Sequence, residues 1–347
     1  MKGVFLKVVG VAVLAVVAVS VWFWQDYQSY LQTPLNIKEE QVFEVKKGSN
    51  FNAVIKSLKA NKYIDSPLYI KLYARQQQLA NKLKAGEYLL KPDLTPPQLL
   101  DILTSGRSIS YQFTIVEGST FKQVKAAIAE NKYLQDDVSN LSNEEILKSL
   151  NTDSSNDQYT HPEGLFLAET YSFSKGSSAL AVLKRSHNML KTSLASAWES
   201  RQEKLPYKTA YEALIMASIV EKETARADER PVIAGVFTRR LEKRMRLQTD
   251  PTVIYGMGDR YKGNIRRSDL RKPTAYNTYV IPALPPTPIA MVGREAIQAA
   301  LNPTSGKALF FVAKGDGSHY FSATLREHNN AVKKYQLTRR KDYRSSP

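Results

Sequence analysis

Apolar positions follow three different patterns along this chain. Val8 to Trp24 is an unbroken run of seventeen uncharged, mostly apolar residues. As a helix it would be about 25 Å long, slightly short of a bilayer core, and Gly3 to Leu6 supply the missing turn. Lys7 can snorkel to an interface beside Lys2, while Trp22, Phe23, Trp24, Tyr27 and Tyr30 form an aromatic belt at the other end. This predicts one membrane pass within residues 1–30, with the positive end cytoplasmic and everything from about Gln25 onward on the periplasmic or equivalent side. A cleaved signal peptide is the alternative, because Ala18-Val-Ser20 resembles a cleavage site; the bulky Trp-Phe-Trp that follows argues for retention.

The second pattern is a repeat at a constant offset of seventy residues. Phe43, Val45, Gly48, Ser49, Phe51, Val54, Leu58 and Tyr63 have same-class counterparts at Phe113, Ile115, Gly118, Ser119, Phe121, Val124, Ile128 and Tyr133. Alternation over Phe43 to Val45 predicts a strand, Gly-Ser a turn and helix N-cap, and Val54 to Leu58 an amphipathic helix. Each copy is therefore expected to be a βα unit. In the first copy Ser66-Pro67 starts a second helix through Leu79, and Ala85 to Leu90 returns as a strand. That βααβ order resembles the LysM module, which binds peptidoglycan; a purely structural module remains the other reading. The predicted divisions are a LysM-like subdomain at 40–108 and a second βα repeat with its connection at 109–157.

The third pattern, over 158–338, mixes long helices with Pro-rich loops and is expected to form an α+β catalytic domain, making the whole chain α+β. Asp136 to Asp157 reads as a surface connection around a short helix at Asn143 to Leu150. Glu163 sits in a Pro-Glu-Gly turn ahead of an aromatic-rich strand, a placement suited to a binding loop. Ser178 to Glu199 and Thr209 to Arg226 read as helices, and Pro231 opens a third that ends near Arg244. From Leu247 the chain is expected to be irregular. Thr274 to Tyr279 and Leu284 to Ile289 cannot be regular helix, since prolines at 282, 285, 286 and 288 remove donors and fix extended geometry. Such loops suit sugars, which need aromatic faces and planar amides, and equally suit a rigid structural role.

Glu221 is the acid that stands out. It lies on an otherwise apolar helix, on the face shared by Ala210, Leu214, Ala217, Ser218 and Ala225, while Glu223 points to the opposite side. A carboxyl in such surroundings is poorly solvated when charged, which raises its pKa and keeps a proton available near neutral pH. The competing reading pairs it with a nearby Arg or Lys. Net charge of +16 favours an anionic lipid, nucleic acid or polymer as partner, or simply a solvated basic surface that includes the tail at 339–347. Nucleic acid is not expected: basic residues are scattered and no base-reading module is present. The absence of cysteine excludes disulfides and thiolate chemistry. His161, His187, His319 and His328 show no close ligand spacing, so neither metal nor cofactor is expected.

Several separated motifs occur in one order: Ala217-Ser-Ile-Val-Glu-Lys-Glu-Thr224, Arg240-Leu, Met245 to Thr252, Tyr276-Asn-Thr-Tyr279, Leu284-Pro-Pro, Pro288-Ile, and Gly317-Ser-His-Tyr-Phe321 with His328-Asn329. In this the chain resembles the YceG-like family of endolytic murein transglycosylases, over nearly its whole length. The local departure is Leu165-Phe-Leu-Ala-Glu169, where the family more often has an aromatic and Pro-Asp. The resemblance implies cleavage of the MurNAc–GlcNAc β-1,4 bond without water, leaving a 1,6-anhydro-MurNAc end and terminating nascent strands near the membrane. It implies Glu221 as the acid and base. Glu163, Gln248, Asp250, Tyr276, Asn277, Thr278, Tyr279, His319 and Tyr320 are the substrate-binding candidates. The partners implied are peptidoglycan strands, the inner membrane and peptidoglycan synthases. A single carboxyl suffices if the sugar's own C6 hydroxyl attacks the anomeric carbon. Two rivals stay open: a two-carboxylate muramidase, with Asp250 or Glu163 as second acid, and a wall-binding scaffold that would not need Glu221.

Overall fold

The computed structural model describes residues 2–150 and 159–337. The basic tail and the last part of the Asn/Ser/Asp-rich connection lie outside them. The chain divides into two compact units, residues 1–111 with 172–176 and residues 112–171 with 177–347.

The first unit begins with α1 (Lys2–Gln32), which from Leu6 to Gln32 is long and apolar enough to cross a membrane. Trp22 and Trp24 are exposed, as a belt would require. Tyr27 and Tyr30 are not simply interfacial. Phe23, Tyr27 and Tyr30 surround the ring of Tyr69 at centroid distances of 5.3–5.7 Å, and the buried Tyr27 hydroxyl donates to Gln76 Oε1 at 3.2 Å. The last turns of α1 thus pack on α3 (Pro67–Gln76) through aromatic edges.

Beyond α1 the order is β1 (Gln41–Val45), α2 (Phe51–Ala60), α3 and β2 (Gly86–Leu90), followed by α4 (Pro96–Ser105). Strands β1 and β2 pair antiparallel with Phe43 opposite Tyr88. Phe43, Val45, Leu58, Ile70, Tyr88 and Leu90 share one core with Leu99 and Leu103 of α4. The expected strand, helix, helix, strand order is present. The additional helix α4 starts on Thr95 and Gln98, which form a capping box, with Pro96 in the first turn where no donor is lost.

The boundary between the units falls within β3 (Ser110–Thr114) and its partner β5 (Thr170–Ser174). The second unit continues from β3 through α5 (Phe121–Glu130), β4 (Leu134–Gln135), α6 (Asn143–Ser149), β5 and β6 (Ser177–Ser178), with β4 and β6 parallel. Both repeat copies are strand–turn–helix units. Gly48 and Gly118 occupy the left-handed region at φ +81 and +73, which costs glycine little. The caps are one residue later than expected: Asn50 accepts from the Ala53 amide, and Thr120 forms a capping box with Gln123, because Ser49 and Ser119 are still inside the turn.

Then come α7 (Ala179–Glu199), α8 (Ala210–Glu223), α9 (Arg230–Glu242), α10 (Asp250–Met257), α11 (Arg267–Arg271), α12 (Arg294–Leu301), the antiparallel pair β7 (Phe310–Ala313) and β8 (His319–Ser322), and α13 (Leu325–Val332). Helix α8 is buried on every side from Ala213 to Glu221 and packs against α7, α9, α10 and α12. It ends three residues before the expected Arg226, because Thr224 is extended at φ −150. The region after Leu247 is more helical than expected. Helix α10 accommodates Pro251 in its first turn, and α12 follows Gly293. Residues 274–279 and 284–289 are non-helical, as the prolines require. The aromatic strand expected after Glu163 begins only at Thr170. Before it, Leu165 to Ala168 run buried, with the Ala168 amide donating to Val292 O at 2.9 Å.

Candidate active site

Glu221 occupies the last turn of α8 with its side chain only 2% exposed. Oε2 accepts from the Gly293 amide at 2.9 Å, and Oε1 accepts from Arg230 Nη2 at 3.1 Å. The competing expectation of an arginine partner is therefore realised, by Arg230 at the start of α9. Arg230 is shared. Its Nη2 also reaches Glu117 Oε2 at 3.1 Å, and its Nη1 donates to Glu295. One buried guanidinium thus faces three carboxyls, of which Glu117 and Glu295 are 48% and 65% exposed.

Burial is the largest influence on Glu221 and raises its pKa above the ordinary carboxyl value. The Gly293 amide and Arg230 oppose that rise, whereas the charges of Glu117 and Glu295 reinforce it. The result is an acid that holds its proton further toward neutrality, with two donors already placed for the carboxylate it becomes.

Glu223 turns toward a different cluster. It accepts from the Thr249 hydroxyl, and burial, with the Asp250 charge as a lesser contributor, pushes it up to about 7. Around it the 248–250 and 276–279 segments interlock. The Gln248 amide donates to Thr278 O at 3.1 Å, the Thr249 amide to Thr278 Oγ1 at 3.1 Å, and the Tyr279 hydroxyl to Asp250 Oδ1 at 2.7 Å. Gln248 is held at φ +55, where a non-glycine residue is strained. The buried Arg240 fixes that segment by donating to the carbonyls of Arg246 and Leu247.

The predicted binding residues fall into two sets. Gln248, Asp250 and Tyr320 are exposed, while Tyr276, Tyr279 and His319 are half-buried. Asn277 and Thr278 are 1% and 0% exposed. Asn277 Nδ2 faces the carbonyls of Asp269, Leu270 and Lys272, and its Oδ1 accepts from the Tyr279 amide. Its amide is therefore committed to the loop's own framework. Glu163 is also internal, accepting from the Phe121 amide at 2.8 Å and the Tyr255 hydroxyl at 3.1 Å, and burial pushes it up to about 7. The Tyr255 ring meets Tyr276 edge-on at 4.8 Å. His319 is bound through its amide and Nδ1 to Glu229, the neighbour of Arg230. Among the described residues, the hydrogen bonds of Glu221 go to Arg230 and Gly293 and to none of the predicted binding residues. No group of three or more His, Cys, Asp or Glu there could hold a metal ion.

Arg230, Gly293, Glu117, Glu295 and Glu229 escaped sequence reasoning as site residues. Glu117 was visible only as part of the repeat. Arg230 lies in a run of charges from Arg226 to Arg230, with the Pro231 helix start as the one nearby signal.

A buried acid closing a core helix, with a guanidinium and a backbone amide on its two oxygens, is an arrangement that can serve general-acid chemistry. The chain belongs to the YceG-like family, whose profile matches residues 43–334. It is 34% identical over 300 residues to the endolytic murein transglycosylase of Bacillus subtilis (strain 168), covering 83% of this chain and 82% of that protein. It is 26% identical to the endolytic murein transglycosylase of Streptococcus pneumoniae serotype 2, covering 92% of this chain and spanning 63% of that longer relative. The 2.6 Å crystal structure of a YceG-like protein from Listeria monocytogenes superimposes with a TM-score of 0.53 at 30% identity, over 85% of this chain and 99% of that one.

Proposed function

We propose that this protein is a membrane-anchored endolytic murein transglycosylase, a lyase that cuts the MurNAc–GlcNAc β-1,4 bond inside peptidoglycan strands. The observation that carries the reading is Glu221: desolvated and so able to keep its proton, yet already facing the two donors that its carboxylate needs. It protonates the departing GlcNAc oxygen as the bond to C1 breaks. The muramic C6 hydroxyl then attacks C1 and returns its proton to Glu221, closing a 1,6-anhydro ring with no water consumed. Gly293 N–H and Arg230 hold the carboxylate between the two transfers. Gln248, Asp250, Tyr276, Tyr279, His319 and Tyr320 position the sugar rings, while Glu163, Asn277 and Thr278 brace the loops that carry them. The βααβ order of the first unit is read as LysM-like. Helix α1 anchors the chain in the inner membrane with its N-terminus cytoplasmic, leaving the acid in the periplasm to terminate strands emerging from peptidoglycan synthases.

One observation favours a second reading. Glu117 and Glu221 bond the same Arg230 nitrogen, so their oxygens lie within about two hydrogen-bond lengths, about 6 Å. That is too close for an inverting hydrolase and near the spacing of a retaining pair, in which Glu117 would be the nucleophile and water would finish the reaction. Mass spectrometry of digested strands separates the two. Anhydro ends support the lyase, and reducing ends, heavier by one water, would replace it with the hydrolase.

A further inference from the structure

A groove of about 940 Å³ runs between the exposed stripe of α7 and the first turns of α12. It lies wholly in the second unit and is separate from Glu221. Its lining includes Lys184, Arg185 and Arg294, amides from Asn188 and Gln298, and no acidic residue. It contains no aromatic side chain either, and so lacks the flat apolar faces on which sugar rings stack. Three cations are also poorly matched to a neutral pyranose. Arg294 approaches Glu169 at 3.8 Å with both half-exposed, an ion pair that water screens and an incoming carboxylate can replace.

The groove's position relates it to the acid. Arg294 directly follows Gly293, whose amide holds Glu221, and consecutive Cα atoms are about 3.8 Å apart. The entry to α12 thus serves both the acid and the groove, and a strand at Glu221 that directs the substituents of its adjoining muramic acid along α12 would bring them to the groove. In murein those substituents are short peptides bearing free carboxylates. A lipid surface fits less well, because among the described residues no large hydrophobic side chain between Tyr133 and Tyr320 is exposed.

We propose that the α7–α12 groove binds the acidic peptide branching from the strand being cut, so that the enzyme prefers peptide-bearing over peptide-stripped glycan. This rests on the lytic reading. The test compares kcat/KM on peptide-bearing strands with kcat/KM on amidase-stripped strands, for the full-length protein in detergent and for Lys184→Glu and Lys184→Gln. The wild-type ratio should exceed one. Lys184→Glu should lower it about fivefold and Lys184→Gln less, with the difference fading in high salt. An unchanged ratio overturns the proposal, as does an equal loss on both substrates, which would make the groove a glycan or folding element. In parallel, calorimetry with synthetic alanyl-γ-glutamyl-diaminopimelate should show binding that Lys184→Glu abolishes. That arm distinguishes the two readings: tripeptide binding without anhydro products would refute the lytic reading alone, and absence of binding would refute the groove alone. Lys184-dependent binding of vesicles rich in phosphatidylglycerol, with no tripeptide binding, would assign the groove to the membrane and also overturn it.

Discussion

Gly293→Ala tests whether Glu117 tunes the acid. Gly293 has φ −82 and ψ 170, a backbone that alanine adopts without strain. A Cβ placed there has Glu117 atoms as its three nearest neighbours, Oε1 closest and Cδ at 2.9 Å. That contact cannot persist. Glu117 is 48% exposed and can swing into solvent, leaving Arg230 to Glu221 and Glu295 while the residue 293 amide keeps its bond to Glu221. At about 6 Å, two like charges repel by about 0.7 kcal/mol in water and about 3 kcal/mol at an effective dielectric of 20. Half-exposed Glu117 belongs near the lower figure, and its charge is one of the influences that raise Glu221.

The sign follows from the required proton. In the proposed reaction Glu221 starts protonated, so activity falls as pH rises through its pKa; losing the Glu117 charge lowers that pKa. The alkaline limb of kcat/KM should therefore move to lower pH in Gly293→Ala. Glu117→Gln should move it equally, and the double variant no further, because both changes remove one interaction. The profiles would be measured by counting anhydro ends released from uniform glycan strands. An unmoved or upward-shifted limb, or a double variant that sums the single effects, would refute the reasoning. A large fall in melting temperature for Gly293→Ala would show that Glu117 cannot move aside.

Glu221→Gln should cut turnover at least ~10²-fold with an unchanged melting temperature, whereas Glu223→Gln, which loosens the contact with Thr249, should cost less; the reverse order would move the acid to Glu223. Glu163 is raised from 4.5 to about 7 in the folded chain, so its contribution to stability is complete below about pH 4.5 and is lost as pH rises through about 7. Glu163→Gln should accordingly flatten the decline in melting temperature between pH 5 and pH 8, and an unaltered slope would count against it. Asn277→Ala should destabilise by about 2–3 kcal/mol in urea titrations, since it leaves buried carbonyls unpaired; normal stability with lost turnover would return Asn277 to substrate contact.

The repeat was legible because its paired residues occupy equivalent core positions: Phe43 and Phe113, Val45 and Ile115, Val54 and Val124, Leu58 and Ile128 are each at most 5% exposed. Helix starts at Ser178, Thr209 and Pro231 carried their own chemical signals. The end of α8 did not. Lys222 to Arg226 are polar enough to continue an exposed helix, and only the extended Thr224 stops it. Glu221 was visible as an acid within an apolar run, but its partners were not. Which charge between Arg226 and Arg230 turns inward depends on how α9 packs, and a backbone amide such as that of Gly293 leaves no trace in side-chain pattern. Asn277 shows a different limit, because an amide among tyrosines looks the same whether it binds sugar or closes a loop.

The two repeat copies differ at the position that meets the acid's surroundings. Strand, left-handed glycine and helix are common to both, but the residue before the glycine is Lys47 in the first and Glu117 in the second. The second turn is docked from both sides: the Gly118 amide donates to Met291 O at 2.9 Å, the Met291 amide to Ser119 O at 2.7 Å, and Lys222 Nζ to Gly118 O at 3.0 Å. Lys222 adjoins the acid, and Met291 lies two residues before Gly293, the donor to the acid. The turn, the end of α8 and the entry to α12 therefore form one hydrogen-bonded frame, into which Glu117 places its carboxylate beside Arg230. A backbone unit that needs only a small hydrophobic core leaves its turn side chain free to vary. An anion there, where the first copy has a cation, sets the electrostatics around Glu221 while both copies keep the same strand–turn–helix fold.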